Sequence, residues 1–569
     1  MQYFRAIATA CLVASVFGNA TEAQVIPPSE QPGRVEQRFE APPSARSAPV
    51  VRRGLEATMA PDEAEKILLM ISDIRIEGNT VFSDHELRAL FAPLIGRTVN
   101  LKQVFDLASQ LTALYGERGY VLSRVIVPPQ ELEPEGAAIH LRALEGYIDE
   151  VRWPDGTRRY RNFFADYEAR ITAERPVRAQ TMERYLLRAN DLPGLGFSST
   201  LVASETNPLA STLVVTMEED HHDILLSIDN RGTEGTGPIQ PTVIGTLSNA
   251  LGEHEQFTLG YTTAGPDQGR IEPELHYFTF GYLQVLNPEG LTFSLSGNAS
   301  WGDPGTPTLD AIEYQTEGLN VSAELLTPLI RTRSENLTGF FAFDYKDSDS
   351  RLIGGTLSND RLRIFRAGLS YDRADEHAGV NQLNLSVSQG VDGLGSTGND
   401  NPLASRANGK VDFFKVTGFA ARTQELPHGF SAFVGVDGQW TDDPLLSSQE
   451  CGYGGAFFGR AFEPSVITGD ACVFALGELR HDIDLGQSPL GDHFKSAQVY
   501  GFGDYGHIWN LEAPLGTASQ DDAASAGAGI RFFNDWLSAD FQVAHTVEVP
   551  SSVAVDDGWH GFFEITLRH

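Results

Sequence analysis

Residues 291–300 read LTFSLSGNAS, and their period of two decides the fold. Leu291, Phe293, Leu295, Gly297 and Ala299 fall on one side of an extended chain, and Thr292, Ser294, Ser296, Asn298 and Ser300 on the other. The alternation returns in LNLSVS, residues 383–388, and in LSADFQV, residues 537–543. A soluble sandwich alternates too, but its outer face carries Lys and Glu, whereas the polar face here is Ser, Thr, Asn and Gln. Small neutral polar groups facing a wet lumen, with Leu, Phe and Val facing lipid, point to a transmembrane β-barrel. Closing the sheet pairs every backbone group inside hydrocarbon, which an open sheet cannot do. The pattern covers residues 222–569. At roughly 10 residues per strand plus turns and long outer loops, about 16 antiparallel strands fit.

Upstream of the barrel the texture differs. The opening MQYFRAIATACLVASVFGNATEAQ sets Arg5 before an apolar run from Ala6 to Phe17 and ends in small residues, which reads as a secretory signal over residues 1–23. The run is too short to span a bilayer, and no later segment approaches the roughly 20 continuous apolar residues of a membrane helix. Residues 24–67, rich in Pro, Ser and charge, read as a loosely docked linker with a short helix near Arg34 to Phe39. Cys11 leaves with the signal, so Cys451 and Cys472 remain. In an oxidising compartment this pair reads as a disulfide closing one loop, with two free buried thiols as the alternative. The net charge of −34 argues against nucleic acid, which is bound through clustered Lys and Arg.

Residues 68–147 form a small α+β pattern. Ile74 and Ile76 alternate as a strand, Gly78-Asn79 breaks it, and Ser83 with Glu86 makes a capping box before Leu87, Leu90 and Phe91 on one helical face. A second helix starts at Asn100 with Gln103 at its third position, then sets Val104, Leu107, Leu111 and Leu114 at helical spacing. Strands follow at Tyr120 to Val127 and Ala138 to Glu145. Residues 148–221 form a second unit of similar size, with a helix around Met182 to Leu187, a turn at Leu192-Pro193-Gly194 and a closing strand STLVVTMEE. Two such units in tandem suggest a duplicated module.

These residues resemble a family: the outer-membrane transporters of two-partner secretion, in the superfamily that includes the barrel-assembly insertases. GERGYVLSRVIVPPQ (116–130) and LEGYID (144–149) resemble the first periplasmic POTRA domain of that family, and LSIDNRGTEGTGP (226–238) resembles its first barrel strand. The long segment around residues 445–475 resembles the sixth extracellular loop, whose usual core is Val-Arg-Gly-Phe or Val-Arg-Gly-Tyr. Gly459-Arg460-Ala461-Phe462 stands in that place, followed by Gly469-Asp470 and Glu478-Leu479. YGFGDYG matches the family's Phe-x-Asp-x-Gly strand through Phe502, Asp504 and Gly506. Ala461 departs from the usual Gly, and His569 from the usual terminal Phe, although Phe563, Ile565 and Leu567 keep the outward register.

The resemblance implies a barrel behind two POTRA domains, 68–147 and 148–221, in the periplasm. Arg460, Phe462, Phe502, Asp504 and Gly506 would lock the loop into the barrel. Asp504 shares its strand face with Gln498 and Tyr500 and should point inward, where it could receive the Arg460 fork. The partner would be a large secreted exoprotein with an N-terminal secretion domain, exported unfolded across the outer membrane. Membrane lipid and the barrel-assembly machinery would be partners during biogenesis. The competing reading is insertion of other barrel proteins, against which the short periplasmic region of two modules argues. No enzyme motif of the G-x-S-x-G, H-E-x-x-H or P-loop kind occurs. His221-His222 beside Asp220 and His254-Glu255 read as solvated or packed rather than metal-binding, and no cofactor is called for.

Overall fold

The computed structural model describes residues 26–48, 64–265, 273–486, 491, 494–513, 518–553, 555 and 557–569, and the expected signal 1–23 lies outside them. Sixteen antiparallel strands between His222 and Arg568 close into one barrel. Its outward positions are those the period of two selects: Leu383, Leu385 and Val387 are exposed, and Ser388 on the other face is buried. Trp301, Trp440, Trp509 and Trp559 sit exposed at the extracellular ends of four strands, and Trp536 at a periplasmic turn. Amphipathic rings of this kind settle at the membrane interfaces and bound the apolar band between them.

The barrel closes where its first strand, His222–Asp229, meets its last, Trp559–Arg568. Ladder pairing there runs only from Leu225 to Asp229 against Glu564 to Arg568. The main chain of His569 extends it, exchanging two 3.0 Å hydrogen bonds with Ile224. The terminal residue therefore contributes through its backbone, whatever its side chain.

Two α+β units precede the barrel. In the first, strand Leu68–Glu77 runs parallel to Glu135–Leu144 at the centre of a four-stranded sheet, covered by helices Asp84–Phe91 and Leu101–Glu117. Both helices start at complete capping boxes, Ser83/Glu86 and Asn100/Gln103. Leu87, Val104, Leu107 and Leu111 face the core. The second unit repeats the order strand, helix, helix, strand, strand: Tyr147–Arg152 lies parallel to Ala210–Glu219, with Leu195–Ala203 on the other side. Helix Ala179–Asn190 contains the expected Met182 to Leu187, the expected turn at Leu192-Pro193-Gly194 follows it, and helix Phe164–Ala173 comes in addition. This unit is fixed to the barrel: Val285 shares its core, and Arg331 holds Asp191 through Nε and Nη2 at 2.8 and 2.7 Å.

The reading of residues 24–67 as a loose linker is corrected for residues 26–48, which lie inside the barrel. Pro28–Glu30 and the short helix Val35–Arg38 sit toward the extracellular end, where Phe39 stacks on Tyr277 at 4.5 Å and Tyr314 donates to the Glu30 carbonyl at 2.9 Å. The chain then descends past Gln382, and near the periplasmic rim the Ser47 and Ala48 amides donate to Asp372 and to the Arg333 carbonyl. A polar, Pro-rich composition suits water and a wet lumen equally, so the lodging left no mark in the pattern.

The orientation of the wall sets an expectation. Leu385→Arg, at the middle of an outward face, should lower barrel stability by about 2–4 kcal/mol, while lumen-facing Asn384→Arg should cost less than half of that. Urea titration of folding into lipid vesicles measures both.

Candidate functional site

The sixth loop, residues 442–470, folds back into the barrel and is pinned against the inner wall. Two three-residue strands, Cys451–Tyr453 and Ile467–Gly469, pair as a hairpin stem, and Cys451 and Cys472 are bonded to each other beside it. Beyond the stem the tip turns at Gly459, whose φ of 71° takes the left-handed position. That position falls before Arg460, so Ala461 needs no glycine conformation. It is buried, and its amide donates to Ser525 at 3.3 Å.

The wall beneath the tip is built by strands Ala471–Asp484 and Ser496–Trp509, on which every second residue faces inward. Phe502, Asp504 and Gly506 share that face and are covered by the loop. A side chain at Gly506 would strike the Tyr453 ring, so the glycine lets the loop lie flat on the wall. Phe462 is buried with its ring 6.0 Å from Tyr453.

The expected fork between Arg460 and Asp504 is corrected. The Arg460 Nη1 donates to Glu478 Oε2 at 2.5 Å, its Nε to the Phe457 carbonyl at 3.3 Å, and its guanidinium lies 4.6 Å above the Phe502 ring. Asp504 instead accepts from Tyr453 Oη at 2.5 Å, Ser525 Oγ at 2.7 Å, and the amides of Gly459 and Arg460 at 3.1 and 3.5 Å. The register explains the exchange. Glu478 lies directly across from Phe502, while Asp504 lies opposite Leu476, one inward position nearer the exterior. The short aspartate meets the turn's backbone, and the long arginine reaches down over Phe502 to the glutamate. Glu478 also accepts from Arg480 and Arg531 at 2.6 and 2.8 Å, so one carboxylate with no exposed side-chain surface serves three guanidinium groups.

A second ionic cluster, absent from the expectations, seats the N-terminal segment against the same loop. Arg34 is fully buried and donates to Glu450 Oε2 at 2.7 Å and to the Glu450 carbonyl at 2.9 Å. Glu450 also accepts from Arg406 at 3.1 Å, and Arg406 reaches Asp470 at 2.5 Å. Burial pushes the Glu450 carboxyl up, opposed by the charges of Arg34 and Arg406. Gly33, at φ 78°, passes so close to Ser448 that a β-carbon would collide with it. The sequence signal was slight: Arg34 at the start of the short helix, and Asp470 within the loop pattern.

The histidines noted in the sequence serve the join between the second unit and the barrel. His221 contacts the Ser248 carbonyl and Glu219 at 3.0 and 3.1 Å, and His254 is buried against Phe163 with its pKa lowered by burial. Among the described residues, no three His, Cys, Asp or Glu side chains are grouped to hold a metal ion.

With this geometry established, comparison with known proteins is decisive. Residues 69–146 match the POTRA domain of ShlB type, and residues 210–532 match the family "Haemolysin secretion/activation protein ShlB/FhaC/HecB". The chain belongs to this family. The heme/hemopexin transporter protein HuxB of Haemophilus influenzae (strain 86-028NP) is 21% identical over 511 residues, 88% of this chain and 87% of that protein. The outer membrane transporter CdiB of Dickeya dadantii (strain 3937) is 23% identical, covering 85% and 84%. Among solved structures, CdiB from Escherichia coli superposes with a TM-score of 0.68 at 18% identity, over 92% of this chain and 94% of that one. BamA from Haemophilus ducreyi lacking POTRA domains 1-3 reaches 0.52 at 14% identity, over 88% and 100%, a likeness of fold alone. The protein is an outer-membrane transporter of two-partner secretion, with its POTRA domain in the periplasm.

The pinning contacts make two expectations. Arg460→Ala and Glu478→Gln should each free the loop tip, and the double variant should be no worse than the more severe single one, because both break one interaction. Removing one partner of a buried pair costs about 3–5 kcal/mol. Arg460→Lys should rescue only in part. Crosslinking of the tip to the inner wall reads all of these, and additive losses would separate the two residues. Peptides from unreduced protein should contain Cys451 linked to Cys472 by mass spectrometry, and closing a loop of this length contributes about 3 kcal/mol by chain entropy.

Proposed function

We infer that this chain captures a large exoprotein, unfolded, in the periplasm and passes it through the barrel to the exterior. The observation that carries this reading is the N-terminal segment itself: the lumen houses a polypeptide from its extracellular end to its periplasmic rim. A bore that admits one helical and extended chain suits another, once the first has moved aside. The segment and the folded-in loop then act as closures of the resting state, released when cargo engages.

Residues 148–221 act in this reading as a second POTRA domain, since they repeat the strand and helix order of the first. Capture uses sheet edges, where an extended cargo segment adds as a further strand. In the second unit, edge strand Leu195–Ala203 presents exposed Leu201 and Val202. Folding of the cargo outside supplies the direction of movement. The partner carries an N-terminal secretion domain for recognition. Lipid surrounds the barrel, and the barrel-assembly machinery inserts it. HuxB carries heme/hemopexin transport in its name; for the present chain the cargo class is an exoprotein of the same secretion system.

Deleting residues 73–147 should abolish cargo secretion while the barrel still reaches the outer membrane in folded form. Unchanged secretion at equal membrane levels would overturn capture by this domain. Deleting residues 26–39 should raise single-channel conductance in planar bilayers, and Arg34→Ala should raise the frequency of open events without changing their size.

A further inference from the structure

Arg231 follows the first barrel strand by two residues and is part-buried, with its pKa pushed down to about 10 by burial and by the nearby charge of Arg460. Among the described residues it has no carboxylate at ion-pairing distance. Its Nη1 donates instead to the Arg460 carbonyl at 2.8 Å, and its guanidinium lies 3.7 Å above the ring of Phe562, on the last strand. A part-buried cation without a counter-ion is an arrangement that packing alone does not call for. What this one touches is informative: the tip of the sixth loop on one side, the far edge of the barrel closure on the other.

The neighbouring residues serve the same junction. Asn230 continues the closure with its side chain, donating to the Gly561 carbonyl at 2.9 Å and accepting from the Phe563 amide at 2.7 Å. Glu234 completes the link to the loop, its amide donating to Glu463 at 2.6 Å. The backbone ladder between first and last strands is short, so the contacts at its extracellular end carry a large part of its closure.

We propose that Arg231 is a positioning residue through which the pinned tip of the sixth loop holds the first and last barrel strands together. The ring of Phe562 and the tip carbonyl share one guanidinium, so freeing the tip withdraws a restraint from the closure. This takes the transporter reading as given, but its test reads the barrel and not the cargo, so either can fail alone.

The test is hydrogen exchange by mass spectrometry on the full-length protein in detergent, read on peptides covering residues 224–230 and 561–569. Assembly of each variant is checked first by heat-modifiable gel mobility. Arg231→Gln should speed exchange in both peptides by about tenfold, on the scale of one hydrogen bond from a charged donor, and Arg231→Lys by less. Asp504→Ala frees the tip three strands away from the closure and should speed the same peptides. The double variant should be no faster than Arg231→Gln alone. If Asp504→Ala fails to assemble, Ser525→Ala with Tyr453→Phe frees the tip in its place. Wild-type protection of both peptides in the tip-releasing variant, or effects that multiply in the double variant, would overturn the proposal and leave Arg231 a local packing contact.

Discussion

A sheet that crosses hydrocarbon cannot leave a polar edge unpaired, because no water is present to take the orphaned amides and carbonyls. Closure into a barrel is the solution here, and most of the molecule follows from it. A closed wall of sixteen strands encloses a bore too wide for its own side chains to fill. That bore is occupied by two segments that begin on opposite sides of the membrane, the sixth loop from outside and residues 26–48 from the end that joins the periplasmic units. Directed polar contacts anchor both to the wall, and each also buries an apolar patch, Phe462 and Ile467 in the loop and Val35 beside Phe39 in the segment.

The directed contacts divide by reach. Asp504, with one methylene, binds the loop's backbone amides and the Tyr453 hydroxyl, fixing the turn without a formal ion pair from the Arg460 side chain. Glu478 takes that side chain while also serving Arg480 and Arg531. The Glu478 carboxylate lies among three guanidinium groups, and the excess positive charge is met partly by Asp540, 3.1 Å from Arg531. The seat of the N-terminal segment works on the same plan with the signs exchanged: Arg406 lies between two carboxylates, so Glu450 keeps a cationic partner when Arg34 is absent. The loop thus keeps its ionic partners on the wall and on the preceding loop without the segment, which is an added occupant.

Much of this was legible in the sequence where one physical rule acts alone. Leu383, Leu385 and Val387 against Asn384, Ser386 and Ser388 told the facing of a strand, and Ser83/Glu86 and Asn100/Gln103 told where two helices begin. Alternation also told that Asp504 faces inward, but it says nothing of height along the barrel axis. Glu478 faces inward too, and choosing between them needs the register of two strands. Helix Phe164–Ala173 has its sequence signal in Phe164, Tyr167 and Ile171 at helical spacing. The lodging of residues 26–48 had no signal of this kind, since four residues of helix are too few for a period and Pro-rich polar chain reads as solvated.

The course of residues 26–48 also governs the kinetics of closing. The segment is joined to the first periplasmic unit through residues 49–63, which span at most about 50 Å when fully extended. A segment withdrawn toward the periplasm stays tied within that reach of its own first periplasmic unit, so its return is a unimolecular event governed by an effective concentration on the order of millimolar. Dilution in the membrane does not slow it, and a neighbouring copy's segment competes poorly for the same bore. In the proposed reading, each barrel resets itself after a passage independently of how many transporters the cell makes.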